Sequence, residues 1–133
     1  MIYLDACTLL KFVRKEDETD QLRSWRGSLP AGTELITSEI SELELSRTLY
    51  RAGLGQRAPY IVAEALKGLH IVRLNGAILS RATTYRLPRL GSLDAIHLAT
   101  AETFHDELTA FVTYDGQLAR AARVLGVPVA DPA

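Results

Sequence analysis

The chain has 133 residues, 47% of them hydrophobic and 23% charged, with a formal net charge of −1. That length suits one domain with a sizeable core, and the mix is too apolar for a disordered chain. A charge this close to zero excludes general electrostatic capture of nucleic acid or of an anionic membrane, so any bound polyanion must be held by local cations or through metal ions.

Ile2-Tyr3-Leu4 reads as a short strand that ends at Asp5, and Ala6 to Val13 as the helix behind it. A second helix is expected over Asp17 to Leu29, with Leu22 and Trp25 facing inward, before Pro30-Ala31-Gly32 stops it. Glu34 to Thr37 is a candidate strand, and Ser38 can cap a helix that runs to about Ala52, where Gly53 and Gly55 break it. Pro59 fits the first turn of a further helix, which continues to Lys67 and ends at Gly68. His70 to Leu74 is a strand, and Ala77 to Arg86 a helix stopped by Pro88.

Gly91-Ser92-Leu93-Asp94-Ala95-Ile96-His97-Leu98-Ala99-Thr100-Ala101 then opens a compact helix. Ser92 is its expected N-cap, and Asp94 falls in the first turn, where the free amides and the helix dipole favour an acid. Leu108 to Tyr114 is a strand, Asp115 to Leu125 a helix ending at Gly126, and Val127-Pro128-Val129 a last edge strand. Strands alternating with helices imply a parallel sheet covered on both faces, in a single domain over residues 1–133. Cys7 is the only cysteine, which excludes an internal disulfide. The chain opens without a basic stretch leading into an apolar run, and no segment is apolar enough to span a bilayer. A cytoplasmic protein with no membrane association is the expectation.

Asp5 and Asp115 each follow a strand directly, and parallel sheets gather functional groups beyond the carboxyl ends of their strands. Either acid alone would be read as a helix cap. Two at equivalent strand ends, with Asp94 at a helix start, point to one acidic site. Crowded carboxylates repel, and a hard divalent cation such as Mg²⁺ or Mn²⁺ relieves that repulsion while favouring phosphate chemistry. Glu39, Glu42 and Glu44 share the helix after Ser38. At about 100° per residue, Glu42 and Glu44 point roughly 200° apart and cannot both face the site, and the apolar pattern does not choose between them.

Four blocks resemble the PIN domain: Ile2-Tyr3-Leu4-Asp5, Ser38-Glu39-Ile40-Ser41-Glu42-Leu43-Glu44-Leu45-Ser46-Arg47, Ser92 to Ala101, and Thr113-Tyr114-Asp115. More narrowly, they are similar to the VapC-type toxins of bacterial type II toxin–antitoxin pairs. The resemblance covers nearly the whole chain, and the block from Ser92 to Ala101 is its specific part. It implies a PIN-like α/β/α sandwich, with a central parallel sheet of about four to five strands, acting as a metal-dependent endoribonuclease on RNA of the tRNA or rRNA class. It implies a catalytic and metal-binding quartet of Asp5, Glu44, Asp94 and Asp115, and so selects Glu44. Asp5 and Asp94 would be the central Mg²⁺ or Mn²⁺ ligands, with Glu44 and Asp115 shaping the site directly or through water. A cognate VapB-type antitoxin and a homodimer are implied as partners. One departure stands out: Ala6-Cys7-Thr8 follow Asp5 where the family commonly has hydroxyl residues, with Cys7 read as a buried stand-in for serine.

His97, one turn beyond Asp94, is read as a satisfied core histidine rather than a general base. Thr113 could hydrogen-bond a carboxylate or a water, but is also an ordinary strand residue. Trp25 is assigned to core or interface packing. Arg47 and Arg51 share a helical face with Glu44 and could hold a phosphate beside the metal, while Lys11, Arg14, Lys15, Arg86 and Arg89 supply cations of which some would line an RNA groove. The rival reading is a non-catalytic PIN-like module that binds RNA or a protein.

Overall fold

The computed structural model describes residues 1–132. Five strands, β1 (Ile2–Leu4), β2 (Leu35–Ser38), β3 (His70–Val72), β4 (Ala110–Val112) and β5 (Val129–Ala130), form one parallel sheet in the order β3-β2-β1-β4-β5. The helices are α1 (Ala6–Val13), α2 (Thr19–Gly27), α3 (Ile40–Arg51), α4 (Ala58–Leu66), α5 (Gly76–Thr83), α6 (Ser92–Glu102) and α7 (Gly116–Val124). The strand count and the parallel arrangement are those expected.

Strand alternation sorts the core into two layers. Ile2, Leu4, Leu35 and Val112 pack against residues of α1 to α4, including Leu9, Leu22, Leu45, Leu49 and Val62. Tyr3, Ile36 and Phe111 point the other way, against α5, α6 and α7 through Ile78, Leu98, Leu118 and Ala122. The central strands β1, β2 and β4 are therefore apolar on both sides, as covered parallel strands must be. Right-handed crossovers explain the split. The chain steps from β1 outward to β3, laying α1 to α4 on one face, then returns past β1 to β4 and β5 with its helices on the other. The reversal lies between β1 and β4, and a crevice opens there beyond the carboxyl ends of the two strands.

Local chemistry sets the helix ends. Asp5 accepts the Thr8 amide at 2.9 Å to cap α1, and Asp115 accepts those of Gln117 and Leu118 at 2.8 and 3.0 Å to cap α7. The cap interpretation of both acids is thus correct, and it fixes them at the sheet edge. Gly53 and Gly126, at φ 78° and 75°, take the left-handed turn that closes α3 and α7.

Several boundaries differ from expectation. Ser92 is not the cap of α6: Gly91 holds that position without a side-chain bond, and Ser92 is the first helical residue. Ser38 instead ends β2, although its Oγ still accepts the Ile40 amide at 3.2 Å. Thr19 shortens the start of α2 by bonding back to the Lys11 carbonyl at 2.8 Å while accepting the Glu16 amide. Pro128 cannot donate to the ladder; its carbonyl accepts from Phe111, and β5 is only the two residues after it. No helix among the described residues is long and apolar enough to cross a membrane.

Candidate active site

Asp5 is 3% exposed, directly after β1. A buried carboxylate survives only if its oxygens are satisfied, and both are. Oδ1 takes the Thr8 amide, and Oδ2 takes the Thr113 hydroxyl at 2.6 Å. Thr113 also accepts the Asp115 amide at 3.1 Å, so one buried hydroxyl ties the acid after β1 to the acid after β4. The sequence allowed this threonine a carboxylate bond or an ordinary strand role, and the structure gives it the carboxylate bond. Its place two residues before Asp115, at the end of a central strand, was the available signal.

Replacing Thr113 with valine keeps the shape and strands Asp5 Oδ2. That should cost about 1–3 kcal/mol, read from urea unfolding. An unchanged unfolding midpoint would remove Thr113 from the support of Asp5.

Glu44 projects from α3, and its Oε1 meets His97 Nε2 at 2.5 Å. Asp94 is half-buried in the first turn of α6. Partial burial, followed by the charges of Asp115, Asp5 and Glu44, holds its carboxyl up at about 6 against an opposing influence from His97. The Cys7 thiol senses the same group: desolvation first, then Asp5, Glu44, Asp94 and Asp115, push it up to about 11. The four carboxylates predicted from the sequence therefore share one electrostatic neighbourhood. Cys7 itself is exposed. It is not a buried substitute for serine, and Thr8 is the buried hydroxyl, bonded to the Val112 carbonyl at 3.2 Å.

The cleft beside Cys7 measures about 350 Å³ and is lined by Lys11, Glu44, Thr48, Tyr114 and Asp115 among others. Lys11 is its cation. The ammonium is 2.8 Å from Glu18 and 3.5 Å from Glu16, and lies 4.9 Å from the centre of the Tyr114 ring. Arg47 is elsewhere. It lines a separate groove between α3 and α4 with its guanidinium 5.6 Å from the Tyr50 ring, so the expected phosphate contact beside Glu44 is not formed by this residue. Arg51 is exposed. Glu42 faces the same α3–α4 groove, and Glu39 is occupied by Arg73 and the Leu74 amide, which leaves Glu44 as the helix's contribution to the acidic cleft.

Among the described residues no three His, Cys, Asp or Glu side chains stand close enough together to hold a metal ion as placed. The physical reason is visible in their partners. Asp5 is turned toward Thr8 and Thr113, Glu44 toward His97, and Asp115 toward the α7 amides, an arrangement that separates like charges. The donor set is nonetheless all oxygen and strongly anionic, which is what a hard divalent cation selects.

The chain is similar to known proteins in sequence and in fold. The family model described as PIN domain matches residues 2–124. Ribonuclease VapC35 of Mycobacterium tuberculosis (strain ATCC 25618 / H37Rv) is 44% identical over 136 residues, spanning 99% of this chain and 97% of that protein. Ribonuclease VapC47 of the same species (strain CDC 1551 / Oshkosh) is 40% identical with the same coverage. Among solved structures, VapBC2 from Rickettsia felis, bound to a DNA fragment from its promoter, superposes with a TM-score of 0.77 at 15% identity over 100% of both chains. Mycobacterium tuberculosis VapC20, a sarcin–ricin-loop-cleaving toxin, gives a TM-score of 0.74 at 16% identity, covering 91% of this chain and 95% of that one.

Proposed function

The chain belongs to the PIN domain family and is a ribonuclease of the VapC kind, and from that premise we propose an Mg²⁺- or Mn²⁺-dependent endoribonuclease toxin, one domain over residues 1–133. The observation that carries the metal site is the common electrostatic field of Asp5, Glu44, Asp94 and Asp115 at the reversal of the sheet. Asp5 and Asp94 would hold the cation, with Glu44 and Asp115 completing its surroundings directly or through water. Such an ion, when bound, supplies charge neutralisation at a phosphodiester and lowers the pKa of water.

The protein's own part is placement. Thr8 and Thr113 fix both oxygens of Asp5, so that carboxylate cannot rotate away when a phosphate approaches. Asp115 is held by two helix amides and Glu44 by an imidazole. With a net charge of −1 the chain has little general attraction for RNA, so substrate choice rests on shape and a few local contacts. A cognate VapB-type antitoxin and a homodimer belong to the same proposal, supported by the VapC names of the relatives and the VapBC identity of a structural neighbour. So does action in the cytoplasm.

Incubation of the purified chain with structured RNA should yield discrete cleavage products. EDTA should suppress them and added Mn²⁺ or Mg²⁺ restore them, with DNA and small phosphoesters left intact. Cleavage indifferent to chelation would defeat the metal site. RNA binding without cleavage would favour a non-catalytic module.

A further inference from the structure

Glu44 and Asp94 come from opposite layers. Glu44 is on α3, in the layer packed on Leu4 and Leu35, whereas Asp94 is on α6, in the layer packed on Tyr3 and Phe111. A chain of two hydrogen bonds links the layers at the sheet edge: Tyr3 hydroxyl to His97 Nδ1 at 2.6 Å, and His97 Nε2 to Glu44 Oε1 at 2.5 Å. His97 is 1% and Tyr3 0% exposed. The Tyr3 ring is itself immobilised, stacked on Phe111 at 5.1 Å with 1° between planes and edge-on to His97.

Hydrogen-bond accounting sets the direction of this chain. A phenol is protonated at neutral pH, and its buried O–H requires an acceptor. His97 Nδ1 lies 2.6 Å from that hydroxyl and accepts it, so the single ring hydrogen of a neutral imidazole sits on Nε2 and is donated to the Glu44 carboxylate. The opposite tautomer would leave two acceptors facing each other at Nε2 and strand the phenol hydrogen.

We propose that Tyr3 and His97 are positioning residues that clamp Glu44 across the two layers, holding its carboxylate at the cleft it lines with Asp115 in readiness for a divalent cation. The proposal rests on the metal-dependent reading above and assigns the second half of the site's preorganisation. Thr8 and Thr113 restrain Asp5; Tyr3 and His97 restrain Glu44 against the repulsion of its neighbours. Outer groups of this kind govern metal affinity more than the fold.

Long-range ¹⁵N NMR of the metal-free protein tests the clamp without any activity. His97 should be the Nε2–H tautomer at neutral pH, and Tyr3→Phe should abolish that preference while keeping the ring on Phe111. Calorimetric titration with Mn²⁺ alone gives the second readout. His97→Leu, which removes the donor, should weaken binding by about tenfold or more, whereas His97→Gln, which restores an N–H at the Nε2 position, should stay within about threefold of the parent. Should the leucine variant fail to fold, Tyr3→Phe carries the test, with weaker Mn²⁺ binding expected. An Nδ1–H tautomer in the parent, or Mn²⁺ binding unchanged in both His97→Leu and Tyr3→Phe, would overturn the clamp. A parent that binds Mn²⁺ and shows the tautomer but cuts no RNA with the metal present would sink the proposal of metal-dependent cleavage and leave the clamp standing.

Discussion

Replacing Asp94 with asparagine should lower RNA cleavage by about a thousandfold and, in the metal-free protein at neutral pH, raise stability. The two effects share one origin. Asp94 is half-buried, and Asp115, Asp5 and Glu44 further disfavour its charge, so its carboxyl titrates at about 6 instead of the ordinary 3.8. The native state therefore binds this proton more tightly than the unfolded chain. Linkage gives the sign: the charged form destabilises the fold, and the loss accrues as pH rises from about 4 to about 6 and persists above. Asparagine keeps the shape and removes that charge. Thermal melts without metal should place the variant above the parent at pH 7.5, with the gap closing below about pH 4. Added Mg²⁺ should then reverse the order, because a cation bound only by the native parent stabilises it by mass action. Cleavage retained by the variant would remove Asp94 from the site, and a gap independent of pH would remove the charge argument.

The second large effect lies beneath the site. Phe111→Ala should destabilise the protein by about 3–5 kcal/mol, the usual cost of emptying a fully buried aromatic position. Phe111 is 0% exposed in the middle of β4, with its ring parallel to that of Tyr3. Against a total of about 5–15 kcal/mol for a domain, this removes much of the margin. The melting temperature should drop by at least ~10 °C. The cavity also frees the Tyr3 ring, so cleavage measured well below the melt should fall as well. Urea unfolding checks the first part, and a cost under about 1 kcal/mol would mean that the two layers repack around the vacancy.

Sequence periodicity carried the architecture because parallel strands announce themselves: Ile2-Tyr3-Leu4 and Phe111-Val112 are apolar on both faces, the first running straight into Asp5 and the second reaching Asp115 after Thr113 and Tyr114. The topological rule then put Asp5 and Asp115 at one edge without any structure. Glu44 was legible only through resemblance, since the pattern of α3 leaves Glu42 and Glu44 equivalent; the structure separates them by sending one to the α3–α4 groove and the other to His97. The supporting bonds were hidden for a different reason. Tyr3 and His97 are 94 positions apart, and His97 and Glu44 are 53 apart. No local propensity records a contact made by folding two layers onto one sheet. Ser92 failed as a cap because serine favours that position without being required there, and Gly91 adopts the extended backbone equally well. Arg47 failed because a helical face is wider than a site. Its proximity to Glu44 on the wheel still allowed the guanidinium to settle over Tyr50.

The brevity of β5 has a bearing on how the molecule behaves in a crowd. A sheet border ordinarily exposes a row of free amides and carbonyls on which a stranger's extended segment can grow. Here that border is two residues long and is preceded by a proline with no amide hydrogen to offer. The flank next to β4 is thereby a poor template for runaway strand addition, and fibrous self-association along this margin finds little to build on.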